Sequence, residues 1–125
     1  MKLTQILREV AAQATAAQTF GQFIKWDFKK NGKLEIRDKN GKPIYWEFAT
    51  GFWTKVENDS KGNRTYYEDS NGRWLKNKYD SRGKLIYWED SSGRWAKMEH
   101  DSRGKLIYFE NSDGVIKDYR PKNVT

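Results

Sequence analysis

At 125 residues and without cysteine, the chain has the length of one domain and offers neither a disulfide framework nor a thiolate metal site. A mean hydropathy of −1.05 and 33% charged residues lean toward disorder. Against that, six Trp and seven Tyr argue for a thin folded sheet whose apolar area sits on large rings. No stretch reaches the ~20 apolar residues of a membrane span. A membrane role is therefore not expected, and the lack of cysteine suits a reducing, cytoplasmic setting.

The net charge of +7 is unevenly placed: residues 25–37 contribute +3 and 59–79 contribute +2, whereas 80–100 and 101–121 each sum to zero. A nucleic-acid footprint is a stripe of Lys and Arg on one face. Counted repeat by repeat, the balanced segments argue against one.

Residues 1–20 read as an amphipathic helix, with Leu3, Ile6, Leu7, Val10, Ala14 and Ala17 at helical spacing, Thr4 as a candidate N-cap and Gly21 as a candidate terminator. The basic start mimics a secretory signal, but Arg8 and Glu9 interrupt its apolar part, so the segment is expected to be retained. Residues 23–37 read as a leading β-hairpin. In it IKWDFK at 24–29 pairs with KLEIR through a three-residue loop, setting Phe28 against Leu34 and Trp26 against Ile36.

From 38 to 120 the chain repeats a 21-residue unit four times, starting at Asp38, Asp59, Asp80 and Asp101. The columns recur at that spacing: Tyr45, Tyr66, Tyr87 and Tyr108; Glu47, Glu68, Glu89 and Glu110; Gly51, Gly72, Gly93 and Gly114; then Trp53, Trp74 and Trp95, with Ile116 in the last copy. Separators such as DSRG and DSSG, with Asp or Asn three residues before Gly, are what a type I turn closed by a left-handed residue requires. Each unit is one hairpin too small to bury a face alone, so hairpins must stack. The fold class is mainly β with one N-terminal α-helix: a single domain, 1–125, forming an antiparallel single-layer meander of about ten strands, with 121–125 as a tail.

Side chains alternate along a strand, so an odd period keeps its faces only if something absorbs one residue per repeat. Three loop residues at the DSRG-type turn and four at the DSSG-type turn would do so. Trp88 would then face Trp95, and Trp46 would face Trp53, on one aromatic face flanked by Lys55, Lys76 and Lys97. The Tyr column would share the other face with Leu85, Leu106, Ala96 and Met98. Ten strands at ~4.8 Å exceed what one ~24 Å helix can cover. Aromatic surface over repeats three and four would then await a partner or a second copy.

Repetition argues against one-off chemistry. His100 is the one histidine, its column partners are Asn58, Tyr79 and Pro121, and no triad or metal cluster can be built on it. The Glu ladder suggests paired carboxylates, but Glu68 with Arg73 and Glu89 with Arg94 bracket turns and are expected to pair across them. NGK, DSKG and DSRG join strand to strand and lack the GxxxxGK[ST] pattern of a phosphate loop. No cofactor, metal or catalytic residue is expected. The candidate partner-binding residues are Arg73, Trp74, Lys76, Trp88, Arg94, Trp95 and Lys97, because Trp and Arg dominate binding hot spots. The same ingredients could stack bases and contact phosphates.

The array resembles the MORN-like repeat of YwqK-type antitoxins, with Gly and paired aromatics recurring in two-stranded units. YDSRGKLIY at 79–87 resembles the YD repeat of Rhs-type proteins, and the Trp/Tyr columns are similar to choline- and glucan-binding repeats. The resemblance covers about residues 38–120 and implies a non-enzymatic scaffold that binds protein or lipid. The expectation is a binding protein that occludes a macromolecular partner, first a protein or nucleoprotein, as a phage or mobile-element inhibitor of a host system would. The alternatives are nucleic acid and carbohydrate, and homodimerisation stays open.

Overall fold

The structure, a computed structural model, describes residues 18–122. The helix expected over 1–20 lies outside the described residues except for 18–20. Nine strands form one antiparallel sheet in chain order: β1 Leu34–Arg37, β2 Pro43–Glu47, β3 Trp53–Asn58, β4 Arg64–Asp69, β5 Trp74–Tyr79, β6 Leu85–Asp90, β7 Trp95–His100, β8 Leu106–Asn111 and β9 Ile116–Asp118. The expected hairpin-repeat meander is therefore present.

The strand expected at 24–29 is absent. In its place stand two single-turn helices, α1 Phe20–Phe23 and α2 Phe28–Asn31. Local capping overrides the alternation of Ile24, Trp26 and Phe28. Thr19 and Gln22 form a reciprocal capping box on α1, and Asp27 accepts the Lys30 N–H at 3.0 Å to open α2. Lys25 turns the chain between them at φ 58°, and Gly32 at φ 73° ends α2. Gly21, expected to terminate a helix, lies inside α1.

Both turns of a repeat are built alike, which overturns the expected difference in loop length. In repeat three the Gly83 N–H donates to Asp80 O at 3.0 Å and the Asp80 N–H to Lys84 O at 2.8 Å. At the second turn the Gly93 N–H donates to Asp90 O at 3.1 Å and the Asp90 N–H to Arg94 O at 2.9 Å. Each is a three-residue loop closed by a glycine at φ 83° or 89°, where a Cβ would be strained. The odd residue is absorbed by a β-bulge instead. Tyr79 pairs with Leu85 but Lys78 with Tyr87, leaving Ile86 extra, and the same shift leaves Ile44 and Ile107 extra in β2 and β8.

That substitution of bulge for loop moves the Trp column to the other face. Glu47 lies opposite Trp53 and Tyr45 opposite Lys55; Glu89 lies opposite Trp95 and Tyr87 opposite Lys97. Directly opposed residues share a face, so the Tyr, Glu, Trp and Lys columns stand together. Trp88 faces Ala96 and Asn77 on the reverse side, and Trp46 faces Thr54.

The chain divides into two compact units, one running to Glu57 and including Tyr67–Gly72, the other comprising Asn58–Tyr66 and Arg73 onward. The first holds the buried cluster Leu34, Ile44, Tyr45 and Val56, with Phe20, Phe28 and Trp53 packed against it. In the second, Ala96 is the buried hydrophobic residue among those described. Within that unit each second-turn serine clips the preceding hairpin: the Trp74 N–H donates to Ser91 Oγ and the Trp95 N–H to Ser112 Oγ, both at 3.1 Å.

Candidate functional site

The second unit gathers four of the seven candidate binding residues on one face. Trp74 carries the Lys76 ammonium 5.0 Å from its ring centroid, and Trp95 carries that of Lys97 at 5.3 Å. Lys78 lies 5.6 Å above Tyr87. Alternation puts Trp74, Lys76 and Lys78 on one side of β5, and the register adds Glu89, Tyr87, Trp95 and Lys97 to it. The lysine stems lie along the rings while their charged ends stay exposed.

The remaining three candidates stand elsewhere. Trp88 is on the reverse face, for the bulge reason already given. Arg73 and Arg94 stand at turn ends, directly before their tryptophans. Arg94 pairs with Asp90 at 3.3 Å and donates to Ser92 Oγ at 3.1 Å, so the expected Glu89–Arg94 bridge gives way to the residue at the base of its own turn. Glu68 pairs with Lys55 at 3.3 Å. Opposed Cα positions repeat that arrangement at Lys76–Glu89 and Lys97–Glu110. Lys76 and Lys97 thus each stand opposite a glutamate while Lys78 lies over Tyr87, so the face carries charges of both signs.

The last hairpin closes with a small ionic cluster. Arg120 lies 4.1 Å above Tyr108 and contacts Asp118 at 2.8 Å and Glu99 at 3.5 Å. The Arg120 side chain holds the Asp118 carboxyl down to about 2. Desolvation first, and then the bond to Glu110 at 3.2 Å, push the Tyr108 phenol up.

The same columns do something different in the first unit. Glu47 is 1% exposed and Tyr45 5%. The Glu47 carboxylate accepts the Thr19 hydroxyl at 2.6 Å, the Gly21 N–H at 2.8 Å and the Tyr45 hydroxyl at 2.7 Å. It thus satisfies the open N-terminus of α1 and places a negative charge there. Phe20 packs edge-on against Tyr45 at 5.6 Å, and Tyr45 stacks on Trp53 at 6.2 Å. Burial, followed by the bond to Glu47, drives the Tyr45 phenol well above its ordinary value. A Cβ on Gly21 would fall 2.6 Å from Glu47 Oε2, so only glycine admits this approach.

Sequence reading did not find this cap, although two signals for it are present. Thr19-Phe20-Gly21-Gln22 has the spacing of a capping box. Leu34 occupies the column that holds Lys55, Lys76 and Lys97, which leaves Glu47 facing Leu34 with no lysine opposite.

His100 has no catalytic company, but its Nδ1 is buried without a hydrogen-bond partner. It borders a cavity of about 460 Å³ whose walls include Tyr87 and Tyr108. Among the described residues no cluster of three or more His, Asp or Glu is arranged to hold a metal, and no helix is long and apolar enough to cross a membrane. The fold and its columns define an antiparallel β-hairpin repeat protein. No protein-family model matches the chain, and no curated protein matches it either.

Proposed function

We propose that the chain is a non-enzymatic binding protein that docks a protein partner on the Tyr–Trp–Lys face of its second unit and acts by occluding that partner. One observation carries this reading. In the first unit the same Tyr, Glu and Trp columns already hold a polypeptide segment, α1, through an aromatic contact and a carboxylate that accepts its amide. The second unit repeats those columns and contains no helix among its described residues. Half-buried Trp and Tyr rings fixed in a sheet bury large area at low entropy cost when a partner arrives. The balance of Lys against Glu on this face favours protein over a polyanion.

The finer assignment to a MORN-like repeat, a cytoplasmic location and a role as a phage or mobile-element inhibitor belong to the same proposal and rest on the repeat motif. Affinity capture from host lysate with three proteins tests it. The wild type and Trp88→Ala should retain one partner through high salt and nuclease treatment, and Trp95→Ala should lose it. Loss on Trp88→Ala with retention on Trp95→Ala would place the interface on the reverse face and overturn the reading.

A further inference from the structure

Counting charge by repeat conceals a polarity within each hairpin of the second unit. The turns that open repeats two, three and four supply Lys61 and Arg64, Arg82 and Lys84, and Arg103 and Lys105, all exposed, against one carboxylate each. Those carboxylates are turned into the turns. Asp59 accepts the N–H groups of Lys61 and Asn63 at 2.9 and 2.8 Å. Asp80 accepts those of Arg82 and Lys84, both at 2.9 Å, and Asp101 those of Arg103 and Lys105, both at 2.9 Å.

The cations are strung along the edge from turn to turn. Lys61 Nζ donates to Ser81 O at 2.7 Å, Arg82 donates to Ser102 O, and the Lys84 stem lies over Gly104. Carbonyl acceptors leave the ammonium and guanidinium charges uncancelled. The other edge differs: there Arg94 is paired with Asp90. A row of cations with rungs ~10 Å apart, two strands per repeat, is the linear stripe that a phosphate backbone requires.

A second feature adjoins this edge. The cavity of about 460 Å³ runs from Asp80 and His100, at the base of the turns, between the rings of Tyr87 and Tyr108, over Lys97 and Glu99. It pairs aromatic walls with both hydrogen-bond donors and acceptors. A recess walled by tyrosines with charged side chains beside them matches the π-face and polar edge of a nucleobase.

We infer that the first-turn edge of the second unit binds a single-stranded nucleic acid, with Lys61, Arg82 and Arg103 contacting spaced phosphates along the strand and one unstacked base entering beside Tyr87 and Tyr108. A membrane surface fits less well, because the turn tips are Ser-Lys-Gly and Ser-Arg-Gly and offer no apolar side chain to insert. The cation row itself lies at the turns, while the recess shares Tyr87 and Lys97 with the docking face.

The test is fluorescence anisotropy of a labelled 20-nucleotide oligouridine, titrated with the full chain across a salt series. The wild type should bind saturably, with a log–log salt slope of about −2 for three phosphate contacts. Arg82→Glu and, separately, Arg103→Glu at the open end of the row should each weaken binding about tenfold and flatten the slope. Tyr108→Ala should weaken it about fivefold or more with the slope unchanged, since stacking is not ionic. Arg94→Glu, on the opposite edge, should bind like wild type. No saturable binding at about 50 mM salt, equal loss in Arg94→Glu and Arg82→Glu, or binding to phosphatidylserine vesicles in place of the oligonucleotide would each overturn the inference.

Discussion

The two units use one set of repeat columns in two ways. In the first, Tyr45, Glu47 and Trp53 are roofed by α1, and Glu47 answers hydroxyl and amide donors. In the second, Tyr87, Glu89 and Trp95 are roofed by lysine stems, and the glutamates stand opposite those lysines. In the column opposite Glu47, Leu34 stands in place of lysine. Without a cation opposite, a buried carboxylate must find other donors, and an N-terminal helical turn provides them. The comparison shows how near-identical hairpins build a closed interior in one unit while leaving the same aromatic columns half-buried in the other.

The largest expected difference tests that contrast directly. Glu47→Ala should cost about 3 kcal/mol or more, because it strands buried donors on Gly21 and Tyr45 and a part-buried one on Thr19. Glu110→Ala should cost less, about 1 kcal/mol, because it removes one part-buried hydrogen bond from the Tyr108 hydroxyl; urea unfolding followed by tryptophan fluorescence reads both. Equal losses would mean that the two roofs are equivalent. Gly21→Ala, which forces a methyl against Glu47 and Phe28, should cost about 2 kcal/mol in the same assay. A smaller effect sharpens the repeat logic. Ser91→Ala removes the acceptor for the Trp74 N–H and should cost about 1 kcal/mol. Ala49→Ser fills the same column in the first repeat, where no Trp precedes it, and should change stability by less than ~0.5 kcal/mol.

Acid should act mainly through the turns. Backbone N–H donors hold the Asp59, Asp80 and Asp101 carboxyls below the ordinary carboxylate value, a serine hydroxyl does so first at Asp90, and Arg120 holds Asp118 at about 2. A depressed folded value means stability that is complete above the unfolded value and lost as pH falls through the folded one. Unfolding midpoints should therefore be flat from neutral pH to about 5 and decline between about 4 and 2.

Much of the architecture could be read from period and turn chemistry. The 21-residue spacing, the Asp-x-x-Gly turns and the alternating strands all reappear as hairpins in chain order. The faces could not, because a bulge at Ile86 and a longer loop after Asp90 absorb the odd residue equally well on paper, yet they place Trp95 on opposite sides of the sheet. Bulges depend on how the backbone twists at the turn, which side-chain patterns report weakly. Residues 24–29 misled for a related reason: three alternating apolar residues outweighed two short caps. The cation row at Lys61, Arg82 and Arg103 was hidden by summing charge over whole repeats, where Asp and Glu at the far end of each hairpin cancel it.

Hydroxyl-radical footprinting of the free protein, read residue by residue by mass spectrometry, addresses the contrast between the units most directly. Tyr45, at 5% exposure under α1, should resist oxidation, while Tyr87 and Tyr108 should react appreciably and Tyr119, at 65%, most of all. Uniform oxidation along the tyrosine column would contradict the account, because it would mean that one kind of cover, or none, serves every repeat.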